Sequence, residues 1–183
     1  IGDPVEHSFS PPMMNAAFSH MNLNASYLAF QVKAEEVPEA IAGIRALNFT
    51  GINVTVPHKS SVIPYLDEVS PLAKKIGAVN TISNVKGHLK GTNTDISGFL
   101  RSLKTSDFSP YQKKIAILGS GGSARALVAG LADAGALSVI VYNRTVERAE
   151  KLVAELSEHF PQTKLESVSL NQIHETPLDL LVN

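Results

Sequence analysis

The sequence contains no cysteine. That excludes disulfides, thiolate metal sites and cysteine nucleophiles, and it is consistent with a cytoplasmic protein. No apolar run approaches the roughly 20 residues needed to span a bilayer, and no signal-peptide pattern is visible. Charge of one sign is also lacking: sixteen basic residues stand against seventeen acidic, for a net charge of −1. Without a Lys/Arg run or basic stripe, neither nucleic acid nor a membrane surface is an expected partner. The six histidines are scattered, forming neither H-x-x-x-H nor H-E-x-x-H, so no metal is expected. What is present is ordinary for a globular protein, 44% hydrophobic and 18% charged over 183 residues. That length suits one large domain or two small ones.

Periodicity divides the chain. MMNAAFSHMN (13–22), after Pro11–Pro12, has helical spacing; ASYLAFQV (25–32) reads as a strand; EEVPEAIAGIRALN (35–48) reads as an amphipathic helix. GINVTVP (51–57) alternates as a strand and stops at Pro57, and 60–77 holds short helical pieces broken at Pro64 and Pro71. Residues 78–95 read as a hairpin turning around Lys86–Gly87–His88, and 96–108 as a helix leading to a linker. From Lys113 the pattern changes to alternating strands and helices with short connections, the signature of βαβ units and a parallel sheet. Two further short strands are expected at 163–170 and 178–183. The expected architecture is α/β, with domains at 1–104 and 105–183. Both termini read as cut through strands, so the sequence reads as a fragment.

Within IAILGSGGSARA (115–126), Gly119, Gly121 and Gly122 follow an apolar strand and open an alanine-rich helix. A pyrophosphate needs a tight turn, a backbone without obstructing Cβ atoms, and N–H groups at a helix N-terminus. Ala124 stands where a third glycine is common. The next strand, VIVYNRT (139–145), ends about 20 residues on, where NAD-binding chains place an acid. Here stand Asn143, Arg144 and Thr145, with Arg148 one turn further. Forked guanidinium donors and a hydroxyl suit a 2′-phosphate, which favours NADP over NAD.

Polar clusters punctuate the apolar first half: HSFSPP (7–12), NVTVPHK (53–59), GAVNTI (77–82) and GTNTDISGF (91–99). Singly, each has a plain structural reading: Ser8 and Ser10 as loop or cap residues, Asn80 in a turn, Asp95 as a helix cap, Lys59 as a solvated lysine. Together, in this order and followed by GSGGSARA and NRTVER, they resemble the shikimate dehydrogenase family over essentially the whole sequence.

The resemblance implies an N-terminal α/β substrate domain, followed by a Rossmann-like doubly wound cofactor domain that is incomplete at its C-terminus. It implies NADPH-dependent reduction of 3-dehydroshikimate to shikimate, in chorismate and aromatic amino-acid biosynthesis. Ser8 and Ser10 match the residues that bind the substrate carboxylate. Thr55, Asn80 and Asp95 match substrate contacts, and Lys59, paired with Asp95, matches the catalytic lysine. Gly119, Ser120, Gly121, Gly122, Ser123 and Ala124 match the pyrophosphate loop, and Asn143 through Arg148 the 2′-phosphate segment. A cytoplasmic monomer or homodimer with small-molecule partners is expected. The alternatives are a quinate/shikimate dehydrogenase of broader use and a non-catalytic NADP(H)-binding module.

Overall fold

The computed structural model describes residues 1–172 and 177–183. Contacts group the chain into two compact units, Ile1–Val69 with Val79–Gly91, and Ser70–Ala78 with Thr92–Asn183.

The first unit is built on strands β1 (Gly51–Asn53), β2 (Glu68–Val69), β3 (Thr81–Val85) and β4 (His88–Thr92), in the order β1-β3-β4-β2. β1 runs antiparallel to β3, and β2 parallel to β4. The β3–β4 turn places Lys86 and Gly87 at φ 53° and 87°, the doubly positive pair that matches the twist of a tight hairpin. Helix α1 (Ser10–His20) starts on Pro11–Pro12, where missing N–H groups cost nothing. Helix α2 (Val37–Ala46) buries Val37, Ile41 and Ile44, one stripe at helical spacing.

Two expectations for this unit are corrected. Residues 25–32 form no strand; their one ladder contact is a parallel bridge between Gly2 and Gln31. The amide of Asn15, on α1, accepts from the Tyr27 N–H at 2.8 Å and donates to its carbonyl at 2.9 Å. A side chain thus takes the backbone groups that a neighbouring strand would take. β1 also ends at Asn53 rather than at Pro57. Past it the backbone changes partners, with Val54 N–H bonding the Asn80 carbonyl and Thr55 N–H the Ile1 carbonyl. The alternation therefore fails: Val54 is buried, whereas Val56 is 59% exposed.

The second unit carries a parallel sheet of β5 (Lys114–Leu118), β6 (Ser138–Asn143), β7 (Lys164–Ser169) and β8 (Leu180–Val182), ordered β7-β6-β5-β8. The chain steps outward from β5 to β7 and then returns to pair β8 on the other side of β5. This reversal makes the C-terminal end of β5 a topological switch point, where ligands bind in open α/β sheets. Ile115, Ala116 and Ile117 are all buried, as expected of a strand covered on both faces.

Helices α3 (Pro71–Ile76), α4 (Asp95–Thr105), α5 (Gly122–Asp133) and α6 (Val146–Ser157) complete this unit. α4 and α5 meet where a Cβ on Gly130 would lie 2.6 Å from Ile96 Cγ2. This close packing groups residues 92–104 with the second unit, so the division by contacts does not coincide with one at residue 104. Among the described residues, no helix is long and apolar enough to cross a membrane.

Candidate functional site

In the first unit, a cavity of about 130 Å³ is lined by Ser8, Ser10, Tyr27, Asn53 and Thr55, among others. Three of the expected substrate residues, distant in sequence, thus meet in one concave surface. Each is placed by a local cause. Ser8 accepts a hydrogen bond from the Ser10 N–H at 3.3 Å, ordering the turn into α1. Thr55 is held by segment 1–3: its N–H donates to the Ile1 carbonyl at 2.9 Å, and the Asp3 N–H donates to the next carbonyl, that of Val56. That approach is so close that a Cβ on Gly2 would sit 2.4 Å from Thr55 Cγ2. Glycine is required there by space.

Lys59 is 8% exposed, which corrects the plain reading of it as a solvated lysine. Its carbonyl accepts from the Val79 N–H at 2.7 Å, next to Asn80. The preceding His58 is buried, its Nε2 2.6 Å from the Val32 carbonyl, which anchors the turn that carries the lysine. Asn80 accepts at Oδ1 from the Thr81 hydroxyl at 2.9 Å.

Asp95 belongs to the second unit. It is the first residue of α4 rather than its cap, and its N–H donates to Asn93 Oδ1 at 3.0 Å. Buried Asn93 also donates to the Ala78 carbonyl at 3.1 Å, so Asn93 does the capping and the Asp95 carboxylate is not spent on it.

The glycine loop joins β5 to α5 as expected. Gly119 has φ +103°, a conformation that calls for glycine. Gly121 is different: its φ is −77° and no atom lies within 4 Å of where a Cβ would stand, so neither backbone nor packing demands glycine there. The space left open is what a pyrophosphate approaching the helix start requires. Ser120 and Gly122 are half-buried, Ser123 is exposed, and Ala124 is buried against the unit's core. The Gly119 N–H donates to the Tyr142 carbonyl at 2.7 Å, tying the loop to the end of β6. There Asn143 donates to the Thr145 carbonyl at 2.7 Å. Thr145 sits at the cap of α6 without spending its hydroxyl on capping. Arg144 and Arg148 are exposed, and neither has an ion-pair partner among the described residues. Two unpaired guanidiniums beside an uncommitted hydroxyl fit a phosphate dianion. The donor set therefore fits a phosphorylated dinucleotide.

A separate concavity of about 360 Å³ in the second unit is lined by Lys74, Lys75, Arg125, Glu155 and Glu158. Its charges are mixed, and Arg125 is tied to Glu155 and to the Ile76 carbonyl. Among the described residues, no group of three His, Cys, Asp or Glu is placed to hold a metal.

Tyr27 is the participant that sequence reasoning missed. Its hydroxyl donates to Asn53 Oδ1 at 2.9 Å. Burial pushes its pKa up, opposed in part by a hydrogen bond with Ser10. In ASYLAFQV nothing distinguishes it from a core aromatic.

Comparison with known proteins agrees with this arrangement. Residues 1–82 match the shikimate dehydrogenase substrate binding domain, and residues 102–177 match the shikimate / quinate 5-dehydrogenase family. A shikimate dehydrogenase (NADP(+)) from Moorella thermoacetica is 55% identical over 157 residues, covering 86% of this chain and 53% of that protein. The chain thus spans about half the length of the curated relatives it matches. A crystal structure of shikimate 5-dehydrogenase from Thermus thermophilus in complex with NADP(H) and shikimate superposes with a TM-score of 0.85 at 40% identity, covering 100% of this chain and 65% of that one. A ligand-free 5-ketofructose reductase from a Gluconobacter species superposes with a TM-score of 0.88 at 36% identity, over 98% of this chain and 66% of that one. With two adjoining family domains matched and a relative this similar over most of its length, the chain belongs to the shikimate dehydrogenase family.

Proposed function

We propose that the protein catalyses the NADPH-dependent, reversible reduction of 3-dehydroshikimate to shikimate, with residues 1–104 serving the substrate and residues 105–183 the cofactor. The observation that carries this reading is the cavity in which Ser8, Ser10 and Thr55 converge. Paired serine hydroxyls are donors suited to a carboxylate, and Thr55 and Asn80 supply polar contacts for ring hydroxyls.

When bound, NADPH supplies the hydride. Gly119 through Ala124 hold its pyrophosphate at the start of α5, and Asn143, Arg144, Thr145 and Arg148 hold the 2′-phosphate. Reduction of a ketone builds negative charge on its oxygen. The Lys59 ammonium stabilises that charge and delivers the proton that completes the alcohol, while the Asp95 carboxylate orients the ammonium and accepts from a ring hydroxyl. Burial of Lys59 shields this exchange from bulk water. The reading includes a cytoplasmic location, a monomer or homodimer, and small molecules as partners.

The test is NADP-linked oxidation of shikimate by the purified full-length protein, with NAD, quinate and the 5-ketofructose/fructose couple run in parallel. Activity with NADP and shikimate that falls at least about 100-fold in Lys59→Ala, in the range of a lost general acid, supports the reaction and the lysine's role. Full turnover in that variant sinks the mechanism. A preference for quinate or for the neutral sugar, which lacks a carboxylate for Ser8 and Ser10, sinks the substrate assignment.

A further inference from the structure

We infer that Tyr27 is a positioning residue for substrate recognition: through a directional chain of side-chain hydrogen bonds it sets which way the amides of Asn53 and Asn80 face. The inference rests on the functional reading above, because Asn80 matters here as a substrate contact.

The chain lies wholly within the first unit. Tyr27 Oη donates to Asn53 Oδ1 at 2.9 Å, Asn53 Nδ2 donates to Thr81 Oγ1 at 3.1 Å, and the Thr81 hydroxyl donates to Asn80 Oδ1 at 2.9 Å. The antiparallel register makes it possible, since Asn53 of β1 lies directly opposite Thr81 of β3. The Asn15 clamp on the Tyr27 backbone fixes the other end.

Its direction follows from proton counting. A threonine hydroxyl has one proton, and Thr81 spends it on Asn80 Oδ1, so it must receive an N–H from Asn53. That turns the Asn53 oxygen outward, where it needs a donor, and the Tyr27 phenol supplies one. With its oxygen committed to Thr81, Asn80 presents its Nδ2 edge on the opposite side. An asparagine amide is nearly symmetric in shape, so packing cannot choose between its two orientations; only hydrogen-bond partners can. Tyr27 thereby makes Asn80 a defined donor, although it sits 53 residues away in sequence. Ser10, which hydrogen-bonds Tyr27, lies at the head of the same chain. The carboxylate-binding serine and the ring-facing asparagine are therefore linked through five side chains.

The experiment compares Tyr27→Phe, Thr81→Val and their double variant with wild type in the full-length protein. Phe keeps the ring and removes only the donor. The expected result is a shikimate KM raised about tenfold, the worth of one net hydrogen bond, with kcat and the NADP KM within about twofold of wild type. Because both substitutions break one chain, the double variant is no worse than the worse single. A melting temperature that drops with no change in shikimate KM, or KM effects that multiply in the double variant, overturns the inference. Side-chain amide NMR of the substrate-free protein gives a readout independent of turnover. The Asn53 and Asn80 amide signals shift in Tyr27→Phe if the chain exists, and an unmoved Asn80 signal refutes it. Wild type that turns over no shikimate while those signals still shift refutes the functional reading and leaves the chain standing.

Discussion

Lys59, Gly2 and Arg144 show how differently single residues declare themselves. Lys59 was identifiable by motif, but its burial at 8% exposure depends on His58 and Val79, which come from different segments. Gly2 carried no sequence signal beyond being glycine, yet the 2.4 Å approach to Thr55 makes it a determinant of the cavity wall. Gly2→Ala is expected to displace Thr55 and raise the shikimate KM severalfold while leaving the NADP KM unchanged; steady-state kinetics checks this. Arg144 was legible as a phosphate ligand because an acid is missing where one is usual, and its exposure agrees with that role. Arg144→Ala is expected to raise the NADP KM about 10- to 100-fold, the loss of a charge-assisted bond, with no effect on the NAD KM. Equal weakening with both cofactors would rule out a 2′-phosphate contact.

At the scale of elements, the parallel βαβ run was legible because its strands are continuous apolar stretches and its helices carry clean stripes, such as Ala149, Leu152 and Leu156 on α6. The segment 25–32 misled because its composition is that of a strand, while its backbone partners are decided by Asn15, twelve residues away. The start of α4 misled more subtly. Asp95 has the residue type of a cap, but Asn93 takes that task and binds the Ala78 carbonyl with its other edge. Asn93→Ala removes both bonds, one of them a buried capping interaction. It is expected to cost about 1–3 kcal/mol of stability, measured by denaturant unfolding. A variant as stable as wild type would show that Asp95 or Thr94 replaces the cap.

For the molecule as a whole, acid is the sensitive direction. Asp67 accepts from Arg45 at 2.6 Å and from the Leu89 N–H at 2.7 Å, joining α2 to β4, and these partners hold its pKa at about 2. The carboxyls of Glu68, bonded to Lys90, and of Asp179, bonded to the Lys114 N–H and Lys113, are lowered as well. A carboxylate with a depressed folded pKa contributes stability above its unfolded pKa, near 4. That contribution is lost as pH falls through the folded value. The melting temperature is therefore expected to fall between about pH 4 and pH 2, and Asp67→Asn, already lacking the charge, to fall less steeply over that window. Parallel curves for the two proteins would remove Asp67 from the account.

Local physics determined much of this protein from sequence. Apolar periodicity set the α/β class and the parallel sheet, and glycine and proline set the loop after β5 and the start of α1. Residue types without an acid after β6 set the preference for a phosphorylated dinucleotide. Each of these depends on neighbours within one or two turns, so the order of residues suffices. Tertiary structure alone decided the early end of β1, the burial of Lys59, the role of Gly2 and the chain from Tyr27 to Asn80. Those depend on which backbone and side-chain groups from distant segments come within about 3 Å, the reach of a hydrogen bond, and no periodicity encodes that distance.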